Sequence, residues 1–146
     1  MTIANIHLVY PLCAMFLLTF IVLITMFSMR VKAIKSGKTE ITYYKTFSKG
    51  SEDENTLKAT RHFANLFEAP VLFYVACILG MIIPVTSLLF LFAAWGYVFV
   101  RAVHAYVHIG ANKLLTRMRV YFVSWVILIM MWAMILMKAL SVSMSV

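Results

Sequence analysis

Four apolar runs, each close to the length that crosses a bilayer, constrain this chain more than any single motif. The first is Ile6 to Met29, with only His7 polar near its start. The second is apolar from Phe63 to Ile83, the third runs from Ser87 to about Ile109, and the fourth from about Thr116 to Ala139. A membrane helix needs about 20 such residues. Composition agrees, since 64% of the residues are hydrophobic and 12% charged. A soluble domain carries about twice that charged fraction. The fold expected is therefore an all-α integral membrane four-helix bundle, one domain over residues 1–146.

The links set the topology. Gly80 to Thr86 and Gly110 to Leu115 are short, so neighbouring spans are antiparallel in an up-down order. Arg30 to Gly50 is longer, basic and turn-rich. The second span is expected to begin before its apolar part. Ser51-Glu52-Asp53-Glu54 reads as a capping box with acids in the first helical turn. The first run is too long for the apolar region of a leader and lacks a basic start, so no cleavable leader is read. Cys13 and Cys77 both lie in apolar runs and read as small core residues without a disulfide role.

The net charge of +8 is not a nucleic-acid footprint, because the basic residues crowd into the segments between apolar runs, with Lys138 an exception that can snorkel out at its helix end. Arg30, Lys32, Lys35, Lys38, Lys45 and Lys49 fill the first connection, and Lys113, Arg117 and Arg119 surround the third. The second connection carries no charge. The positive-inside rule then puts both basic connections in the cytoplasm and both termini in the periplasm or lumen. Anionic headgroups are the expected partners of these lysines and arginines. The membrane expected is a bacterial inner membrane or one of endoplasmic-reticulum type.

Polar residues inside spans are expensive and default to pairing or function. Arg61, Asn65 and Glu68 stand at i, i+4 and i+7 in span two; Arg101, His104 and His108 stand at i, i+3 and i+7 in span three. Arg117, Tyr121 and Ser124 repeat that spacing in span four. Each set occupies one helix face. At about 1.5 Å per residue, Glu68 lies roughly 18 Å, and Arg101 and Ser124 roughly 21 Å, from the outer ends of their spans. The three sets thus make matched layers: Glu68 with Arg101 and Ser124, Asn65 with His104 and Tyr121, Arg61 with His108 and Arg117. Glu68 is expected to pair with Arg101, because an unpaired carboxylate at that depth is costly. One carboxylate does not balance three arginines, and the surplus calls for an anionic ligand bearing carboxylates or a thiolate. His104 and His108, one turn apart, have a metal-ligand spacing, with Glu68 as a third ligand. Arg101 and Arg117 oppose a cation, so no metal is expected.

Arg61-His62-Phe63-Ala64-Asn65-Leu66-Phe67-Glu68-Ala69-Pro70 resembles the second-helix signature of the MAPEG family, the membrane-associated proteins in eicosanoid and glutathione metabolism. Arg101-Ala102-Val103-His104-Ala105-Tyr106-Val107-His108, followed by an Arg opening the fourth helix, resembles its third-helix signature. The resemblance covers nearly the whole chain. It implies a homotrimer that binds glutathione at subunit interfaces near the cytoplasmic end, and a lipophilic small-molecule substrate. By that resemblance Arg117, sixteen residues after Arg101, stabilises the glutathione thiolate. Asn65, Glu68, Arg101, His104 and Tyr121 would line the pocket, with Arg61 and His108 at its mouth. Arg30 would reach the tripeptide carboxylates. The implied activity is a glutathione-dependent transferase or peroxidase. Three positions depart from the pattern: Ala64 where prostaglandin-type members have a second Arg, His108 where many have Tyr, and Met118 where one subgroup has Ser. They keep open a non-enzymatic alternative, a lipid-binding scaffold or small subunit of a membrane complex.

Overall fold

A computed structural model describes residues 6–47, 50–85 and 87–144; Lys49 and Thr86 lie outside the described residues. Helix α1 spans Val9–Lys35, α2 Tyr43–Thr46, α3 Glu54–Asn65, α4 Ala69–Ile82, α5 Leu88–Ile109 and α6 Leu114–Ser143. No strand occurs among the described residues. Helix α1, α3 with α4, α5 and α6 are each long and apolar enough to cross a membrane. The chain is a multi-pass integral membrane protein, and its large apolar surface, from Phe16 and Phe20 to Phe92, Phe99 and Ile129, meets lipid.

The helices run further than their apolar runs. Helix α1 continues to Lys35 and α6 starts at Leu114, because lysine and arginine stems stay helical while their charges reach the headgroups. Helix α5 is the centre of the bundle, packing on α1, α3 and α6, and α6 also packs on α4. The core sits along α5. Phe73 of α4 stacks on Tyr97 of α5 with centroids 4.5 Å apart and planes 10° apart. Gly80 lets the two helices approach near their link, since a Cβ there would lie 2.6 Å from the Phe90 ring.

Two expectations fail locally. Helix α3 begins after Asp53, whose side chain makes no cap bond. The capping box does not form, because its acids are used elsewhere. Glu52 turns inward to Arg30 Nε at 3.3 Å and accepts from Thr60 Oγ1 at 3.0 Å, and Asp53 faces Lys38 at 3.7 Å. Cys77 is buried, but Cys13 is exposed. The buried stripe of α1 is Pro11, Met15, Val22, Met26 and Ala33, and Cys13 lies off it.

Span two is also not one helix. It breaks over Leu66–Glu68 between α3 and α4. Pro70 has no N–H for the Leu66 carbonyl, and its ring would clash with that carbonyl in a continuous helix. The chain answers with tight turns, Phe67 N–H to Ala64 O at 3.0 Å and Glu68 N–H to Asn65 O at 3.3 Å.

Candidate functional site

The break ends the one-face register of Arg61, Asn65 and Glu68, and this changes the pairing. Arg101, fully buried, donates from Nη2 to Asn65 Oδ1 at 2.6 Å and to the Asn65 carbonyl at 3.3 Å. Asn65 Nδ2 donates to Glu68 Oε2 at 3.2 Å. The expected Glu68–Arg101 ion pair is therefore replaced by a relay through Asn65. Past the kink Glu68 is exposed on the subunit surface, and the guanidinium takes the nearer amide. The Arg101 guanidinium carbon also lies 5.7 Å from the Tyr121 ring centroid, a cation–π approach across α5 and α6. Ser124 does not join this layer. Its hydroxyl donates to Tyr121 O at 2.6 Å within its own helix.

Seven of the nine candidates surround one cavity of about 420 Å³ at the basic end of the bundle: Arg61, Asn65, Glu68, His104, His108, Arg117 and Tyr121, with Met118 and Phe122. That volume is within the range of small-molecule sites, about 300–1,000 Å³. Arg101 is not in the lining; it stands behind Asn65 and Tyr121 and holds both. Arg30 is not brought to the cavity within the subunit. Its guanidinium bonds Glu52 at 3.3 Å and Thr60 at 3.1 Å and lies over the Tyr44 ring at 4.9 Å. The lining thus carries two guanidinium groups and one carboxylate, with a third guanidinium behind it. The surplus of positive charge read from the sequence persists in three dimensions.

Sequence reasoning passed over two side chains. His62 is fully buried, with its ring centroid 5.2 Å from His104 and 5.0 Å from His108. Three imidazoles therefore cluster between α3 and α5, His104 and His108 lining the cavity and His62 packed behind them. The available signal was the stripe His62, Leu66, Ala69 and Phe73, all buried at i, i+4, i+7 and i+11. Among the described residues, no three His, Cys, Asp or Glu side chains are arranged to hold a metal ion. Asn112, in the link between α5 and α6, accepts from Arg117 Nη1 at 2.9 Å. Nothing in the sequence singles it out.

A second cavity, about 530 Å³ and almost wholly apolar, follows α6 away from the first, between Leu72, Trp125, Leu128, Ile129, Trp132, Ala133 and Leu136. The two cavities are neighbours, since Trp125 of the second lies 6.4 Å, ring centroid to centroid, from Tyr121 of the first. A polar, cationic pocket thus adjoins an apolar groove open to lipid.

No curated protein and no solved structure matches the chain. Residues 8–137 match the MAPEG family, a stretch that includes the first three spans, most of the fourth and every residue of the cavity. With four bilayer-length helices and the polar band between them, the chain belongs to the MAPEG family.

Proposed function

We propose that this protein is a glutathione-dependent transferase or peroxidase acting on a lipophilic electrophile. The observation that carries this reading is the cavity in which Arg61 and Arg117 face one carboxylate, Glu68, beside an apolar groove. Glutathione has two carboxylates, an amine and a thiol. Its carboxylates suit the guanidinium groups, its amine suits Glu68, and Asn65 and Tyr121 supply neutral hydrogen bonds. Arg117 holds the sulfur as the thiolate, because a nearby cation favours the ionised form. The thiolate then attacks the electrophilic carbon. A C–S bond forms, and the displaced group leaves with the bonding electrons. Reduction of a hydroperoxide is the same attack on oxygen, completed when a second glutathione gives the disulfide, with the alcohol and water as products.

Two further points belong to the reading. Glu68 and Arg61 are exposed on the isolated subunit, although they lie in a span, and a neighbouring subunit would cover them. A homotrimer supplies that cover and brings a second chain's Arg30 into play. The basic end faces the cytoplasm, where glutathione would enter, while the electrophile reaches the groove from the bilayer. The test is glutathione conjugation by the purified protein in lipid vesicles, compared with Arg117→Ala. Equal rates would remove Arg117 from the chemistry. Absence of calorimetric glutathione binding at millimolar concentration would favour the lipid-binding scaffold, the reading to which Ala64 and His108 lend weight.

A further inference from the structure

We infer that Asn112 is a positioning residue that presets the Arg117 guanidinium toward the cavity without neutralising it. This rests on the glutathione reading above. Arg117 sits in the first turn of α6, and its backbone N–H donates to Lys113 O at 2.9 Å. Its side chain lines the cavity, and its Nη1 donates to Asn112 Oδ1 at 2.9 Å. No acidic side chain pairs with it among the described residues.

The link is built to hold that amide. Helix α5 closes with Gly110 N–H on Tyr106 O at 3.0 Å and Asn112 N–H on Val107 O at 2.8 Å. Asn112 then adopts φ 48°, in the left-handed region. Asparagine tolerates that conformation where most residues are strained. Its side chain is thereby fixed to the end of α5 and points at the first turn of α6.

The chemistry explains an amide rather than an acid. An arginine side chain carries large rotamer entropy, which a binding site otherwise loses when the ligand arrives. A fixed neutral acceptor removes part of that loss in advance. A carboxylate at the same place would orient the guanidinium equally well. It would also form an ion pair and reduce the positive potential that favours a thiolate. Asn112 supplies orientation and leaves the charge for the ligand.

The test uses the full-length protein in vesicles and two variants. Asn112→Gly keeps the left-handed backbone and removes the acceptor. Asn112→Asp keeps the acceptor and adds charge. One readout needs no glutathione: the rate at which phenylglyoxal modifies Arg117, followed by peptide mass mapping. The other is the ultraviolet absorbance of bound glutathione thiolate against pH. Asn112→Gly should quicken modification of Arg117 and lower kcat about tenfold, the scale of one hydrogen bond to a charged group, with little change in KM for the electrophile. Asn112→Asp should leave Arg117 slowly modified yet move thiolate formation to higher pH. Wild-type modification rates and thiolate titrations in both variants overturn the inference. If the wild type forms no thiolate, the glutathione reading falls, and the modification rate alone decides whether Asn112 sets the Arg117 pose.

Discussion

The Asn65 amide oxygen lies 2.6 Å from Nη2 of Arg101, a fully buried guanidinium with no carboxylate bonded to it. Around this contact the polar band is organised. Asn65 accepts from Arg101 and donates to Glu68, while Arg101 extends over the Tyr121 ring. Two spans are joined by it directly, and a third through the ring. Among the described residues Arg101 Nε and Nη1 make no hydrogen bond, so within them the Asn65 bonds bear most of the compensation for burying that charge.

Removing Asn65 should therefore cost more than removing Arg101. Asn65→Ala removes the amide acceptor and leaves the buried cation only the longer bond to the residue 65 carbonyl, a loss of about 1.5–3 kcal/mol, the range for a hydrogen bond to a charged group. Arg101→Met, which takes the charge away with the partner, should cost less. Thermal unfolding of both variants in the same detergent checks the order, and an Asn65→Ala protein as stable as Arg101→Met would contradict it.

Arg117→Ala should shift the pH profile of conjugation rather than only its height. Without the cation, the bound thiol ionises at higher pH, so at neutral pH the thiolate fraction falls. Each unit of that shift is tenfold in thiolate at pH well below it, equal to about 1.4 kcal/mol. Activity should recover as pH rises toward the ordinary thiol range. A profile that drops uniformly at every pH would point to lost binding instead.

Gly80 and Phe90 form a second testable contact. A methyl at residue 80 would lie 2.6 Å from the Phe90 ring, which is fully buried and would have to shift. Gly80→Ala should destabilise by about 1–3 kcal/mol despite alanine's helix preference. Adding Phe90→Leu should restore part of the loss, and a double-mutant cycle in thermal unfolding reads the coupling.

In the connection after α1, burial pushes the Tyr44 phenol up to about 12, helped by the negative charge of Glu52. A raised folded value means that the folded state keeps its proton longer than the unfolded one. The contribution of Tyr44 is complete below the ordinary phenol range, about 10, and is lost as pH rises through about 12. Tyr44→Phe should remove this component. Stability measured from pH 9 upward should fall less steeply in the variant than in the wild type, and parallel curves would refute the assignment.

Much of this protein is legible in one dimension. The four spans follow from run length, because lipid leaves the backbone no partner except its own helix. Seven candidates fall around one cavity because 3.6-residue periodicity places the α5 and α6 sets each on one face, and the turn over Leu66–Glu68 still leaves Arg61, Asn65 and Glu68 at the same end of the bundle. The pairing was not legible. Pro70 was visible, yet its effect on the residues before it needed the backbone path, and three residues of tight turn were enough to separate Glu68 from Arg101. The stripe His62, Leu66, Ala69 and Phe73 marks His62 as a core position, but its contacts with His104 and His108 depend on how α3 packs on α5.

The sequence by itself determined the solvent, the number of spans and the level at which polar groups gather, since these depend on runs and spacings along one chain. Only the tertiary structure decided which donor meets which acceptor: Arg101 with Asn65, Arg30 with Glu52, Arg117 with Asn112. The physical reason is range. Hydrophobic burial responds to surface summed over many residues and survives a local kink, whereas a hydrogen bond requires its two atoms within about 3 Å, so a turn of three residues is enough to change the partner.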